Sequence, residues 1–98
     1  MYYTFLGAKC PKELGFCVTS SGLDQNSGVK KLDGSDGDTV ERQEQCLTSC
    51  RSVTGATGCE LIWGQIQNGC YAHTHDIVEG NGVRMHYCWV FSKCEKGK

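Results

Sequence analysis

The stretch Cys46-Leu-Thr-Ser-Cys50, followed by Cys59-Glu-Leu-Ile-Trp63 and then by Cys70, decides how this chain folds. Cys46 and Cys50 are four residues apart, so they share one face of a helix. Cys59 and Cys70 each open a short apolar run of the kind that forms a strand. The pattern predicts a helix cross-linked to a β-hairpin, with the rest of the chain wrapped around that unit.

Length and cysteine content restrict the class of protein. The chain has 98 residues, so we expect one small domain over residues 1–98 with a core from about residue 14 to about residue 92. Eight cysteines in so short a chain predict a disulfide framework, because reducing compartments rarely retain disulfides. We therefore expect a secreted protein or an extracellular piece of a larger one. The sequence alone leaves the pairing open among about a hundred combinations.

Charge and hydropathy argue against two classes of partner. The formal net charge of -1, from 10 Lys+Arg against 11 Asp+Glu, gives no broad reason to expect nucleic acid or an anionic membrane. No apolar run approaches the roughly 20 residues of a membrane span. Residues 1–8 lack the basic and apolar regions of a signal peptide, so we expect the signal of an extracellular protein to lie outside this sequence.

A capped helix is expected from about residue 39 to about residue 53. Asp38 is the predicted N-cap, and Glu41, three residues later, completes a capping box. The glycines at 55 and 58 end the helix and turn the chain. The predicted inward stripe is Val40, Cys46, Leu47, Cys50 and Val53, and the predicted water-facing residues are Glu41, Arg42, Gln45 and Arg51.

Apolar and β-branched runs predict the strands. After an arm over residues 1–13, the first strand is expected over residues 14–19, with Phe16 and Val18 on one face and Cys17 on the other. A long polar loop over residues 20–37 contains a candidate edge strand at 29–32. The remaining predicted features are strands at 59–63 and 70–75, joined by the hairpin signal Asn68-Gly69, a last strand at 86–91, and a charged tail held by Cys94.

These cysteine-bearing segments resemble those of the PAN/apple domain. The resemblance rests on Cys46-x3-Cys50, on Cys59-Glu-Leu-Ile-Trp63 and on Gly69-Cys70-Tyr-Ala-His, which match the family's helix pair and its two central strands. It covers about residues 14–92. It implies a small disulfide-rich α+β fold in which one α-helix packs on a twisted antiparallel β-sheet.

The resemblance also implies a disulfide pairing. The helix would be joined to the hairpin by two nested bonds, and an N-terminal strand would be joined to a C-terminal one. The implied pairs are Cys46–Cys70, Cys50–Cys59 and Cys17–Cys88, which leaves Cys10 with Cys94. The alternative of Cys10–Cys88 with Cys17–Cys94 stays open. The extra pair of cysteines at 10 and 94 and the long polar loop depart from the family pattern.

Catalytic and metal chemistry find little support in the sequence. No nucleophile-elbow sequence is present, and the acids cluster before the helix, so we predict that the chain is not an enzyme. Residues 33–38 lack the oxygen ligands of a calcium loop. Zinc could be held by Cys46, Cys50, His73 and His75, or at the surface by His73, His75, Asp76 and His86. We favour histidines as ordinary strand residues, and predict neither a metal site nor a cofactor.

Side chains on the predicted strands are candidates for binding. Most aromatic residues are expected in the core of so small a domain. An outward aromatic ring beside histidines and an arginine would make a binding patch, since aromatic and arginine side chains are enriched at protein contacts, and it could also stack on a sugar ring. The predicted ligand-binding residues are Trp63, Tyr71, His73, His75, Arg84 and His86.

The resemblance implies an extracellular binding or adhesion module that recognises protein or carbohydrate. Such a module would belong to a larger secreted or matrix protein, with tandem modules or self-association. Two other classes stay open. One is a free-standing secreted disulfide-rich effector, such as a toxin or an inhibitor, and the other is a metal-binding structural protein.

Overall fold

The helix and the central hairpin form where the cysteine spacing predicts them. The computed structural model describes residues 2–5, 8–22 and 28–96. The elements in chain order are β1 (Tyr2–Phe5), β2 (Ala8–Pro11), β3 (Glu13–Leu14), β4 (Cys17–Val18), β5 (Val29–Asp33), α1 (Val40–Arg51), β6 (Gly58–Ile62), β7 (Gly69–His73), β8 (Glu79–Gly80), β9 (His86–Val90), a 3-10 helix (Phe91–Lys93) and β10 (Glu95–Lys96).

Three antiparallel sheets organise these strands. The central sheet has five strands in the order β3-β9-β6-β7-β5, a second sheet pairs β4 with β8, and a third has the order β1-β2-β10. The predicted α+β class is therefore confirmed, with α1 as the one α-helix of the described part of the chain. Among the described residues, no helix is both long and apolar enough to cross a membrane.

Four disulfides cross-link these elements. Two of them join α1 to β6 and β7, and all four of their cysteines are fully buried together with Leu47 and Trp89. The other two join segments that lie far apart in the chain. The bonds are Cys46–Cys70, Cys50–Cys59, Cys17–Cys88 and Cys10–Cys94, the same pairs that the resemblance implies.

The cap and the buried face of α1 differ from the prediction. Thr39, and not Asp38, is the N-cap, because its hydroxyl accepts the amide proton of Arg42, so the predicted capping box does not form. Gln43 is buried and donates to the Asp38 carbonyl at 2.8 Å, whereas Val40 is 62% exposed. The predicted stripe is thus wrong at its first residue, since a buried amide with a main-chain partner replaces an apolar side chain.

Arg42 was expected in water but lies mostly buried. Its guanidinium pairs with the Asp33 carboxylate at 3.1 Å and donates to the Ser35 carbonyl at 3.2 Å. This pair ties the start of α1 to the end of β5. The edge strand itself is confirmed, one residue longer than predicted; residues 23–27 of the predicted loop lie outside the described residues.

The predicted first strand is in fact two strands. Gly15 has a φ of 114°, and a β-carbon there would collide with the main chain of Gly82. The chain therefore stops pairing with β9 at the end of β3, and the next strand, β4, pairs with β8. Cys17 and Val18 are both buried, because β4 belongs to a separate sheet that packs on β6 and β9.

Two further connections depart from the sequence interpretation. The predicted N-terminal arm is a β1–β2 hairpin that also pairs with β10. The β6–β7 hairpin closes through residues 63–68, so Asn68-Gly69 is not its two-residue turn. Gly69 instead begins β7 with a φ of 146°, where a β-carbon would collide with the Asp33 carbonyl. The glycine is needed for strand packing rather than for the turn.

A carboxylate holds the 63–68 loop in place. Asp36 accepts the amide protons of Gly64 at 2.7 Å and of Gly37 at 2.8 Å. These hydrogen bonds to Gly64 and Gly37, with the positive charge of Arg42, lower the pKa of the Asp36 carboxyl below its ordinary value. The segment before α1 is therefore joined to the far end of the central hairpin.

Removing single disulfides should distinguish two contributions to the free energy of unfolding, the loop-closure entropy of the unfolded chain and the burial of the cysteines. Cys17 and Cys88 are 71 residues apart, whereas Cys50 and Cys59 are 9 apart, and all four are fully buried. Replacing the first pair by alanine should lower the free energy of unfolding by about 4 kcal/mol, and replacing the second by about 2.5 kcal/mol. Guanidinium unfolding followed by tryptophan fluorescence measures both. Equal losses would contradict the assignment of the larger effect to loop closure.

The Asp36 contact should be lost in acid. A lowered folded-state pKa means that the contact stabilises the fold above the unfolded-state value of about 3.9, and that this contribution is lost as the pH falls through the folded-state pKa. The amide proton shift of Gly64 should therefore titrate with a midpoint below about 3.9. In Asp36→Asn that titration should disappear. A midpoint at or above the ordinary value would show that the contact does not hold in solution.

Candidate functional site

The strand β6 gives the central sheet two buried faces of different character. Its side chains alternate, so Cys59 and Leu61 face α1, whereas Glu60 and Ile62 face the opposite side. All residues of β6 are buried, and a carboxylate at such a position is unusual without a partner. The face of the sheet away from the helix therefore holds the buried Glu60 carboxylate and the partner that it needs.

One half of that face is covered and the other half is open. Cys17, Ile77, Cys88 and Val90 form a small apolar cluster between the β4–β8 layer and the β9 side of the sheet. On the β7 and β5 side an open cleft of about 190 Å³ remains. The cleft is lined by Phe16, Val29, Glu60, Ile62, Gln67, Tyr71 and His73.

A hydrogen-bonded acid and base form the polar wall of the cleft. Glu60 Oε1 accepts from the main-chain amide of Cys17 at 3.0 Å and lies 2.9 Å from Nε2 of His73. Both side chains are buried, with 4% of Glu60 and 1% of His73 exposed. The register explains their contact, because Glu60 lies opposite Tyr71 on β7 and His73 is the diagonal neighbour two residues further on.

The second ring nitrogen of His73 faces another histidine. Its Nδ1 lies 3.1 Å from Nε2 of His75. An ionised carboxylate only accepts hydrogen bonds, so Nε2 of a neutral His73 carries the proton towards Glu60 and Nδ1 presents its lone pair to His75. Glu60, His73 and His75 thus form a chain of hydrogen bonds that leads from the cleft to the end of β7.

The aromatic and amide groups of the cleft are held by the hairpin loop. The Tyr71 hydroxyl donates to the Gln67 carbonyl at 2.6 Å, and the ammonium of Lys31 lies 5.7 Å from the centre of the Tyr71 ring. Gln67 belongs to the 63–68 loop, which Asp36 holds through Gly64. Phe16 closes the other side and packs on the His86 ring at 4.0 Å between centroids.

The structure brings together only part of the predicted ligand-binding set. Tyr71 and His73 line the cleft, and His75 adjoins it through His73. Trp63 instead packs against the core on the helix side, with its ring 4.5 Å from that of Tyr87.

The other two members lie in and after the turn before β9. Arg84 is exposed there, and its carbonyl lies 2.7 Å from Nδ1 of His86. His86 is buried and lies opposite Ile62 of β6, whereas His73 lies opposite Gly58. The two histidines are therefore four positions apart along β6. The predicted surface site of His73, His75, Asp76 and His86 therefore does not assemble as a group.

Sequence reasoning missed Glu60, Phe16 and Gln67. Glu60 could have been found, because a lone acid inside an otherwise apolar strand must have a partner if the strand is central. Phe16 and Gln67 carry no comparable signal. The turn at Gly15 places Phe16 over the sheet, and the length of the 63–68 loop places Gln67 beside Tyr71.

Cysteine sulfurs approach one another closely but are already bonded. The sulfurs of Cys46, Cys50, Cys59 and Cys70 lie within 4.8 Å of one another, and all four belong to the two disulfides beneath α1. Cys17, which lies beside Glu60 and His73, is bonded to Cys88. These sulfurs therefore serve as cross-links, and the nitrogens and oxygens of the cleft remain as its polar groups.

Comparisons with known proteins leave the site to be interpreted by its geometry. No match to this chain is found among protein-family models, curated proteins or solved structures. The geometry to be interpreted is that of the cleft, the Glu60–His73 pair and the neighbouring His75.

Proposed function

We propose that this chain is an extracellular binding module of the PAN/apple type, and that its cleft takes one sugar unit of a glycan. The observation that carries the proposal is a buried carboxylate–imidazole pair, Glu60 with His73, in the wall of a small open cleft. The four disulfides, typical of extracellular proteins, support the location. The helix joined to an antiparallel sheet by nested bonds supports the family.

The chemistry of the lining suits a sugar. A sugar ring has hydroxyl groups that donate and accept, and an apolar face of C–H groups. Glu60 and the amide of Gln67 offer polar partners for hydroxyls, while Phe16, Val29 and Ile62 offer apolar surface. The volume of about 190 Å³ is below that of pockets for drug-sized ligands, so a single ring is the appropriate size.

Binding, and not turnover, is the function that these contacts support. Both ring nitrogens of His73 are engaged, one with Glu60 and the other with His75, so the imidazole has no hydroxyl nucleophile to activate. The Tyr71 hydroxyl donates to a main-chain carbonyl. A rigid disulfide scaffold also limits the cost of ordering the cleft when ligand binds.

A glycan array with the oxidised protein tests the proposal, followed by calorimetry on each glycan that binds. Gln67→Ala should lower the affinity about tenfold through the loss of a hydrogen bond. Val29→Trp, on the edge strand, should fill the cleft and abolish binding. Gln45→Ala, the same substitution as at Gln67 but on the exposed side of α1, should bind as the wild type does.

Two outcomes would overturn the proposal. One is an array on which no glycan binds the folded protein. The other is a bound glycan whose affinity is the same for wild type and for Val29→Trp, because that ligand would lie elsewhere on the molecule. Melting temperatures of all variants establish that a loss of binding is not a loss of fold.

A further inference from the structure

The two histidines at the end of β7 have the spacing of two ligands on one metal ion. Nδ1 of His73 and Nε2 of His75 lie 3.1 Å apart. A zinc ion at about 2.0–2.1 Å from each nitrogen would see them at an angle of roughly 100°, close to tetrahedral geometry. We propose that His73 and His75 bind a divalent transition-metal ion of the zinc class.

Glu60 supplies the outer partner that such a site needs. A metal-ligating histidine usually donates its other N–H to a carboxylate, which fixes the tautomer and makes the ligating nitrogen more basic. Nε2 of His73 lies 2.9 Å from Glu60 Oε1, and that oxygen also accepts the amide proton of Cys17. With the proton held on Nε2, the lone pair of His73 is on Nδ1, the nitrogen that faces His75.

The backbone that carries the two histidines is held on both sides. The Thr57 amide donates to the His73 carbonyl, and the single proton of the Thr57 hydroxyl is shared between the His73 and His75 carbonyls. Between the histidines, the Thr74 amide and hydroxyl donate to the Gly28 carbonyl at 2.7 and 3.0 Å. Ligands on a rigid segment lose little freedom on binding, which favours a preformed site.

Space for the remaining ligands lies on the side of His75. His75 is partly exposed and, together with Asp76, lines a cavity of about 500 Å³ that is separate from the cleft. Water from this cavity can complete the coordination, and the negative charges of Glu60 and Asp76 favour a cation. Imidazole nitrogens select zinc, copper or nickel over calcium or magnesium, which prefer oxygen ligands.

The proton balance of the site is simple. Without metal, His75 donates its Nε2 proton to the lone pair of His73. With metal, both nitrogens present lone pairs, so a neutral His75 carries its proton on Nδ1 instead, and the number of bound protons does not change. Acid competes with the metal, because protonated imidazole has no lone pair to offer. The step involves no change of oxidation state.

Titration of the oxidised protein with zinc sulfate at neutral pH tests the site by calorimetry and by imidazole nitrogen NMR. We expect one ion per chain, with shifts at His73 and His75 and none at His86, which lies four residues away along β6. His75→Ala should lower the affinity at least tenfold. Glu60→Gln should weaken binding about 10- to 100-fold while leaving both ligands in place.

The controls separate this site from the proposed sugar cleft. Gln45→Ala lies on the exposed side of α1, outside both sites, so its zinc affinity should equal that of the wild type, and calcium should shift neither histidine. Wild-type protein that shows no histidine shift in millimolar zinc would overturn the proposal. Equal zinc affinity in His75→Ala would do the same, and because His75 does not line the cleft, neither result bears on glycan binding.

Discussion

The rest of the structure depends on two disulfides that lie side by side beneath the helix. Their four sulfurs are within 4.8 Å of one another and fully buried, so they hold α1 on β6 and β7 at fixed points. The disulfide of Cys59 holds this side chain on the helix side of β6. Because side chains alternate along a strand, it also determines on which face of the sheet the neighbouring side chains lie. Glu60 is thereby committed to the opposite face, where the cleft is.

A buried carboxylate is costly in a domain of this size unless it is fully paired. Here the main-chain amide of Cys17 and the ring of His73 both bond Glu60, and Cys17 is itself held by its disulfide to Cys88. The Cys17–Cys88 disulfide therefore joins β4 to β9 and also positions the Cys17 amide, which is a partner of the Glu60 carboxylate. Scaffold and site share the same residues, which is why a small module can hold polar groups rigidly.

Local patterns made much of the fold predictable. The helix, the central hairpin and the last strand follow from cysteine spacing and from alternation over a few residues. The break at Gly15 was missed because its neighbour Gly82 is distant in sequence. The cap at Thr39 was missed because Asp38, the residue before it, is also a favoured N-cap residue. The N-terminal hairpin was missed in part because its partner β10 lies at the other end of the chain. The site was predictable only in part, because the contact of Glu60 with His73 arises from strand register, which no single stretch of sequence specifies.

Peptide mapping of the unreduced protein determines whether the two disulfides beneath the helix are nested. Cleavage between Cys46 and Cys50 and between Cys59 and Cys70, followed by mass spectrometry, identifies which cysteines are joined. We predict peptides linked through Cys46–Cys70 and through Cys50–Cys59. Peptides linked through Cys46–Cys59 and Cys50–Cys70 would contradict this prediction, because the helix would then sit differently on the two strands that carry Glu60 and His73.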